Sequence, residues 1–390
     1  MKHEFKDDTL YLVLGERLET TNAEAVEKEI QEIREKYKEG SIVIDAENLK
    51  YISSAGLRVI LRLRKKEATL RVINANTEVY EIFEMTGFSE MIKIEKAFRK
   101  MSVDGCEIIG KGAKGTVYKY NADTIIKVYK NNDCLDEINR ERELARKAFI
   151  LGVPTSISFD VVKVGDKFGS VFELLDALSM SEAIARYSEN LDRYVEQMVE
   201  LIHIIHSTDV KPTDMPNANL EIGGKWIQSA KEYLDNEDYL KVESLIKALP
   251  APLKMLHCDF HTNNIMLQNN EALMIDMDTL SYGHPIFDLT DTYFAYVGLG
   301  LVSEEKVQSF LGMDKDVYSK IWPKFIRLYL KTDDENRINE VNKKIECLNA
   351  VHMIRYVSKH RKEEPTYQEE MSMLKNLLHK LLQETSTLDF

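Results

Sequence analysis

The residues best suited to chemistry lie in two short segments, His257-Cys258-Asp259-Phe260-His261-Thr262-Asn263-Asn264 and Ile275-Asp276. An Asp therefore stands five residues before an Asn, and an apolar run leads to a second Asp. Phosphoryl transfer from ATP requires such a set, because a carboxylate must orient and deprotonate the attacking hydroxyl while oxygen ligands hold the metal that neutralises the phosphates. We predict Asp259 as the catalytic base and Asn264 and Asp276 as ligands of Mg²⁺, which prefers oxygen ligands.

A glycine-rich segment lies upstream, Ile109-Gly110-Lys111-Gly112-Ala113-Lys114-Gly115-Thr116-Val117-Tyr118. The same glycine spacing occurs in dinucleotide-binding turns, but there a helix follows the third Gly directly. Residues 116–120 are instead typical of a β-strand, and residues 121–123 of a hairpin turn. A strand, a glycine loop and a second strand form the flap over the ATP phosphates in kinases, where glycines let the backbone approach the phosphates closely. The pattern predicts nucleotide contacts from Gly110, Gly112, Gly115 and Val117.

The next strand pattern, over residues 124–129, places Lys127 inside an apolar run. A buried lysine is costly without a partner, and phosphate oxygens together with a helix glutamate would supply one. The residues themselves leave two candidates for that glutamate, Glu141 and Glu143. A β-hairpin pattern follows over residues 159–175, and its end is predicted from position to place Glu173 and Leu175 against adenine.

Residues 104–385 resemble the aminoglycoside phosphotransferase and choline kinase group, a branch of the protein-kinase-like fold. The resemblance rests on His257-x-Asp259-x4-Asn264, Ile275-Asp276 and Asp288-Leu289. Eukaryotic protein kinases fit less well, because Cys258 stands where they have Arg. Only eleven residues separate Asp276 from Asp288, which leaves little room for a peptide platform. The resemblance implies a hydroxyl group of a small molecule as acceptor.

The same resemblance implies a role for individual residues. It favours Glu141 over Glu143 as the partner of Lys127, and both residues of that pair then belong to the catalytic set. It implies ATP and Mg²⁺ as cofactors. Asp288 is expected to anchor the catalytic loop, and Asp278 to bond the backbone or assist the metal.

Residues 1–98 alternate strand and helix patterns, which indicates a small α/β domain. Thr21, followed three residues later by Glu24, predicts a capping box at the start of a helix. Residues 45–57, with Ser53-Ser54-Ala55-Gly56-Leu57 at their end, resemble the STAS domain of bacterial anti-sigma factor antagonists, as do residues 79–88. The resemblance implies a regulatory or docking module with a protein partner and places the regulatory phosphorylation on Ser54. In the alternative interpretation, the two serines only cap the helix.

The charge of the 390-residue chain is -13, and it is unevenly distributed. Residues 1–100 carry 18 basic and 19 acidic side chains, and the rest of the chain carries 34 and 46. An acidic second part argues against a nucleic-acid partner and mildly favours a cationic acceptor. The four cysteines have no paired spacing, which indicates reduced thiols in the cytoplasm. No apolar run is long enough to predict a membrane span.

The predicted fold is an α/β STAS domain followed by an α+β, two-lobed protein-kinase-like domain. We predict a STAS-like domain over residues 1–98, a linker over 99–105, an N-lobe over 106–176 and a helical C-lobe over 177–390. The preferred function is ATP-dependent transfer of the γ-phosphate to a small-molecule hydroxyl. Two alternatives stay open, a signalling kinase that phosphorylates a protein (its own Ser54 or another STAS domain) and a non-catalytic nucleotide-sensing adaptor.

Overall fold

The computed structural model describes residues 1–112, 114–132, 134–175 and 177–390. Ala113 of the glycine-rich segment and the predicted lobe boundary at residue 176 lie outside the described residues. The chain forms two compact units, Met1–Ser102 with Val161–Asp166, and Val103–Asp160 with Lys167–Phe390.

The first unit alternates strands and helices, as its sequence predicts. Its strands before residue 103 are β1 (Lys2–Lys6), β2 (Thr9–Val13), β3 (Arg17–Leu18), β4 (Ser41–Asp45), β5 (Tyr51–Ile52), β6 (Arg71–Ala75), β7 (Lys93–Lys96) and β8 (Arg99–Lys100). Its helices are α1 (Ala23–Lys36), α2 (Ser54–Lys66) and α3 (Thr77–Met85). The main sheet has the order β1-β2-β4-β6-β7, and only the pairing of β1 with β2 is antiparallel.

Strand β1, like β7 at the opposite edge, is an element of this sheet that the sequence does not predict. All five of its residues are exposed, because β1 pairs only with β2 at the edge of the sheet. An edge strand without a buried face has no apolar alternation to reveal it. In β4, by contrast, the apolar run Ile42-Val43-Ile44 is buried, and such a run does indicate a buried strand.

Two serines start helix α2. Ser53 is the N-cap, and its Oγ accepts hydrogen bonds from the backbone N–H groups of Ala55 at 3.2 Å and Gly56 at 3.4 Å. Ser54 is the first helical residue and is exposed. The predicted capping box of Thr21 is wrong. Helix α1 begins after Asn22, which makes no side-chain cap because its amide is occupied by the preceding turn.

The second unit begins with a smaller lobe that contains most of its strands. Its elements are β9 (Glu107–Lys111), β10 (Gly115–Lys119), β11 (Thr124–Tyr129), α4 (Leu135–Ile150), β13 (Lys167–Glu173) and β14 (Ala177–Ser179). Strands β13, β11, β10 and β9 pair in that order, and every pairing is antiparallel. The strand between α4 and β13, β12 (Asp160–Val164), belongs to the first unit from Val161 onward, and there it pairs with β8 in parallel through Val162 and Arg99.

The larger lobe is mainly helical. Its helices are α5 (Met180–Arg186), α6 (Leu191–Ser207), α7 (Gly224–Ala230), α8 (Asn236–Ala248), α9 (Ile286–Tyr296), α10 (Glu304–Leu311), α11 (Lys315–Tyr318), α12 (Ile321–Leu330), α13 (Glu335–His360) and α14 (Tyr367–Glu384). Its short strands are β15 (Met255–Leu256), β16 (Ile265–Gln268), β17 (Glu271–Met274) and β18 (Ser281–Tyr282). The apolar stripes of α6 and α14 are buried in the core of this lobe. Across the described residues, no helix is both long enough and apolar enough to cross a membrane.

Candidate active site

Lys127 lies at the centre of the site, on strand β11. Its neighbours Ile126 and Val128 are buried, so the alternation of the strand points the lysine to the opposite face. The Lys127 Nζ donates to Glu141 Oε1 at 3.1 Å and to Asp276 Oδ1 at 3.0 Å. Burial lowers the pKa of Lys127, but these two carboxylates outweigh it and raise the pKa above its ordinary value. The ammonium is therefore charged and held between two anions.

Of the two candidate glutamates, Glu141 is the one in contact with Lys127. Glu141 is buried on α4, whereas the Glu143 side chain is 53% exposed and lies 3.8 Å from Lys147 on the same helix. Burial raises the pKa of Glu141 above 4.5, although the positive charge of Lys127 opposes that effect.

Tyr129 and Ser170 fix the other oxygen of Glu141. The Tyr129 hydroxyl donates to Glu141 Oε2 at 3.2 Å and lies 3.0 Å from Ser170 Oγ. Neither residue was predicted to take part in the site. The available signal was the position of Tyr129, two residues beyond Lys127 and hence on the same face of β11.

Asp259 and Asn264 lie on the loop between β15 and β16. The Asn264 side-chain amide donates to Asp259 Oδ2 at 3.0 Å and to the Asp259 carbonyl at 3.0 Å. Asp259 Oδ1 lies 3.2 Å from His261 Nε2, while the Asp259 side chain stays 44% exposed. Burial raises the pKa of Asp259, but His261, His257 and Asn264 outweigh that effect and hold the pKa below its ordinary value. Asp259 is thus an ionised, accessible carboxylate.

Asp288 anchors this loop from helix α9, as the sequence predicts. Its fully buried Oδ2 accepts a hydrogen bond from the His257 N–H at 2.9 Å and lies 2.9 Å from His206 Nε2. Its Oδ1 accepts from the Cys258 N–H. Cys258 has a φ of 59°, a conformation that is uncommon for residues other than glycine. The Asp288 carboxylate therefore stabilises the turn that presents Asp259.

The hairpin of β16 and β17 joins the catalytic loop to Asp276. The Ile275 N–H donates to the Asn264 carbonyl at 2.9 Å, which holds the two predicted metal ligands on adjoining backbone. Burial raises the pKa of Asp276, but Lys127 and Lys114 outweigh it and leave the pKa below its ordinary value. Because the Asn264 amide nitrogen is used by Asp259, its Oδ1 is the atom left for a cation. One carboxylate and one amide oxygen are suitable ligands for Mg²⁺.

The glycine-rich segment connects β9 to β10, as predicted for a flap. A Cβ on Gly115 would lie 2.5 Å from the Val128 carbonyl oxygen, so this glycine is required for close packing of β10 on β11. A Cβ on Gly112 would meet only the Gly115 carbonyl, at 3.9 Å. Gly110 lies opposite Val117 in the pairing of β9 and β10, so these two residues, both predicted to contact the nucleotide, are neighbours on the flap.

Two further predictions concern Asp278 and the adenine contacts of Glu173 and Leu175. Asp278 was predicted to bond the backbone or assist the metal, but its Oδ2 contacts Lys114 Nζ of the flap. Glu173 ends β13 opposite Thr124, and the Leu174 N–H donates to the Asp123 carbonyl at 2.9 Å. Half-buried Leu175 comes next along the chain. The proposed adenine contacts of Glu173 and Leu175 stay predictions.

The chain belongs to the phosphotransferase enzyme family, whose model matches residues 105–314. Residues 1–101 are a STAS domain. That part is 35% identical over 92 residues to BtrV of Bordetella bronchiseptica, a protein named as a candidate anti-sigma factor antagonist, and the match covers 23% of this chain and 78% of BtrV. The predicted combination of a STAS domain and a kinase-like phosphotransferase domain is therefore confirmed.

Three solved structures are more distant. An ADP-bound aminoglycoside phosphotransferase, APH(2'')-Ib, is 15% identical with a TM-score of 0.49, and the match covers 77% of this chain and 98% of that one. A choline/ethanolamine kinase family protein from Mesorhizobium loti is 15% identical with a TM-score of 0.43, covering 72% and 88%. An anti-sigma factor antagonist homologue from Thermotoga maritima is 20% identical with a TM-score of 0.22, covering 24% and 85%. At these identities the likeness does not identify the molecule on which this chain acts.

Proposed function

We propose that this member of the phosphotransferase enzyme family transfers the γ-phosphate of ATP to a hydroxyl group of a small molecule. The observation that carries the proposal is the network in which Lys127 bonds both Glu141 and Asp276, beside the hydrogen-bonded pair of Asp259 and Asn264. A non-catalytic adaptor has no need of this complete set. The short segment between Asp276 and Asp288 favours a small acceptor over a protein.

Each side chain has a distinct role in this reaction. Asp259 orients the acceptor hydroxyl and accepts its proton. Because the pKa of Asp259 is lowered, the proton moves late, which suits the loose transition state of phosphoryl transfer. Lys127 binds phosphate oxygens, and Glu141 keeps the ammonium in place. Asn264 and Asp276 would hold Mg²⁺, which neutralises charge on the phosphates when it is bound.

A positively charged acceptor is the refinement that the helical lobe supports. Asp291 on α9 is buried, and its Oδ2 has no hydrogen-bond partner among the described residues. Its Oδ1 lies 3.7 Å from His352 Nδ1. Burial raises the pKa of Asp291, the charges of Asp259 and Asp288 raise it further, and Arg355 only partly opposes them. An ammonium group on the acceptor would stabilise the ionised carboxylate, so Asp291→Asn should reduce kcat/KM for amine acceptors more than for neutral ones.

The STAS domain is proposed to regulate the kinase-like domain or to dock a protein partner. Exposed Ser54 at the start of α2 is the proposed phosphorylation site, because a phosphate there would interact favourably with the positive end of the helix dipole. The cytoplasmic location stays a prediction that rests on the cysteine pattern.

The experiment compares the wild type with Asp259→Asn during incubation with Mg·ATP and pools of small hydroxyl compounds. ADP release that depends on the acceptor is expected for the wild type, and the variant should lose roughly 10²–10⁴-fold in rate while still binding nucleotide. Intact-mass measurement on the same samples shows whether the protein itself gains a phosphate. A phosphate on Ser54 of the wild type that is absent from the variant would instead identify a self-phosphorylating kinase.

Glu141 and Glu143 lie on the same helix, α4, so substitutions of the two residues form a matched test and control. Glu141→Gln should reduce turnover strongly, since Glu141 holds Lys127 at 3.1 Å. Glu143→Gln should leave turnover unchanged, since the Glu143 side chain is exposed and points to Lys147. Equal effects of the two substitutions would contradict the assigned network.

A further inference from the structure

Lys114 brings a second lysine to the predicted metal site from the flap. It lies between Gly112 and Gly115, and its Nζ contacts Asp278 Oδ2. The same ammonium lies 4.0 Å from Asp276 Oδ2, whereas Lys127 bonds the other oxygen of Asp276 at 3.0 Å. One cation from the loop before β10 and one from β11 therefore converge on the same carboxylate, and only Lys127 was predicted from the sequence.

The backbone around Lys114 is held in place on both sides. The Lys130 N–H donates to the Lys114 carbonyl at 3.0 Å, and Lys130 Nζ donates to the Gly112 carbonyl at 2.8 Å. Gly115, directly after Lys114, packs its backbone on that of Val128. The Lys114 side chain itself is 48% exposed. A fixed backbone thus carries a long side chain that can still exchange partners.

The charges around Lys114 indicate which partners its ammonium would exchange. Without nucleotide, the ammonium of Lys114 offsets the repulsion between Asp276 and Asp278. Asp276 would hold Mg²⁺, which would offset the charge of that carboxylate, and phosphate oxygens bound beside Asp276 would come within reach of the Lys114 ammonium. A phosphate oxygen, like a carboxylate, forms a charge-assisted hydrogen bond with an ammonium, so it would compete with Asp278 for Lys114.

We propose that Lys114 binds the terminal phosphate of the nucleotide and that Asp278 holds this lysine in the absence of nucleotide. The inference rests on the proposed function. It assigns to the flap a phosphate-binding side chain in addition to the backbone of its glycines. Since the terminal phosphate is the group transferred, Lys114 would discriminate ATP from ADP.

The test measures binding of ADP and of a non-hydrolysable ATP analogue, each with Mg²⁺, by calorimetry. Lys114→Met should weaken binding of the ATP analogue by about tenfold or more, because a charge-assisted hydrogen bond is lost, and should weaken ADP binding far less. Lys111→Met is the matched control, since Lys111 is an exposed lysine of the same flap. Its affinities should equal those of the wild type.

A second variant separates phosphate binding from a purely structural ion pair. Asp278→Asn releases Lys114, so it should leave the affinity for the ATP analogue unchanged or increased. A loss in Asp278→Asn as large as in Lys114→Met would overturn the inference. So would Lys114→Met affinities that equal the wild type, or that fall equally for both nucleotides. A wild-type chain that binds neither nucleotide would overturn the proposed function itself, which is a different result.

Discussion

Replacing Asp288 with Asn should destabilise the larger lobe, because this carboxylate is the single acceptor for three donors. Both of its oxygens are buried and accept from the N–H groups of His257 and Cys258, and His206 Nε2 lies 2.9 Å from Oδ2. An Asn can keep an oxygen on one side only, so its NH₂ group must face a donor. One hydrogen bond to a charged group is lost and a buried N–H is left unsatisfied, which costs about 3 kcal/mol.

The assay is urea denaturation followed by tryptophan fluorescence. Both tryptophans of the chain, Trp226 and Trp322, lie in the second compact unit, so the signal reports on that unit without interference from the first. The free energy of unfolding should fall by the amount above. Turnover should fall as well, since Asp288 holds the strained turn at Cys258 that presents Asp259.

Asp333→Asn is the control, because the Asp333 side chain is 99% exposed. Its unfolding free energy should change by no more than about 0.5 kcal/mol. If Asp288→Asn unfolds at the same urea concentration as the wild type and keeps its turnover, the carboxylate does not anchor the catalytic loop and the argument is wrong.

Two further predictions concern the smaller lobe. The acid limb of kcat/KM should have its inflection above pH 4.5, since burial raises the pKa of Glu141 and protonation removes one partner of Lys127 as the pH falls through that raised value. Glu141→Gln should abolish this inflection in a pH–rate profile, and its persistence would assign the limb to another group. Gly115→Ala should lower the unfolding free energy by about 1–3 kcal/mol in the same urea assay, because its Cβ would lie 2.5 Å from the Val128 carbonyl oxygen. Gly112→Ala meets no such obstacle, so equal losses in the two alanine variants would show that the backbone contact does not limit this position.

The catalytic loop was predictable because its chemistry is local in sequence. Asp259 and Asn264 are five residues apart, and the turn between them is short enough that the two side chains must meet. Asp276 follows the hairpin of β16 and β17, at the end of the apolar run that the sequence shows before it. The buried strands and helices were predictable for a related reason, since burial of one face imposes a period on the sequence. Exposed β1 has no such period and was missed.

Other features depended on packing that a sequence pattern does not record. Glu141 and Glu143 differ by two positions, which places them on opposite sides of α4, and only the packing of α4 against β11 selects Glu141. The capping box predicted at Thr21 does not form. Helix α1 begins after Asn22 instead, and the Asn22 side chain is hydrogen-bonded to the turn before the helix.

The order of the motifs along the chain, from the glycine flap through Lys127 to Asp259, Asn264 and Asp276, determined the fold class and the reaction type, because each motif carries its own local geometry. The tertiary structure decided which charges meet. Lys127 is 149 residues from Asp276, and Lys114 is 164 residues from Asp278, so neither contact exists until the flap, α4 and the catalytic loop pack together. Opposite charges at such separations are brought together by burial of the apolar residues between them. The sequence pattern alone is compatible with many ways of packing these residues, whereas the close-packed core of the folded chain allows one.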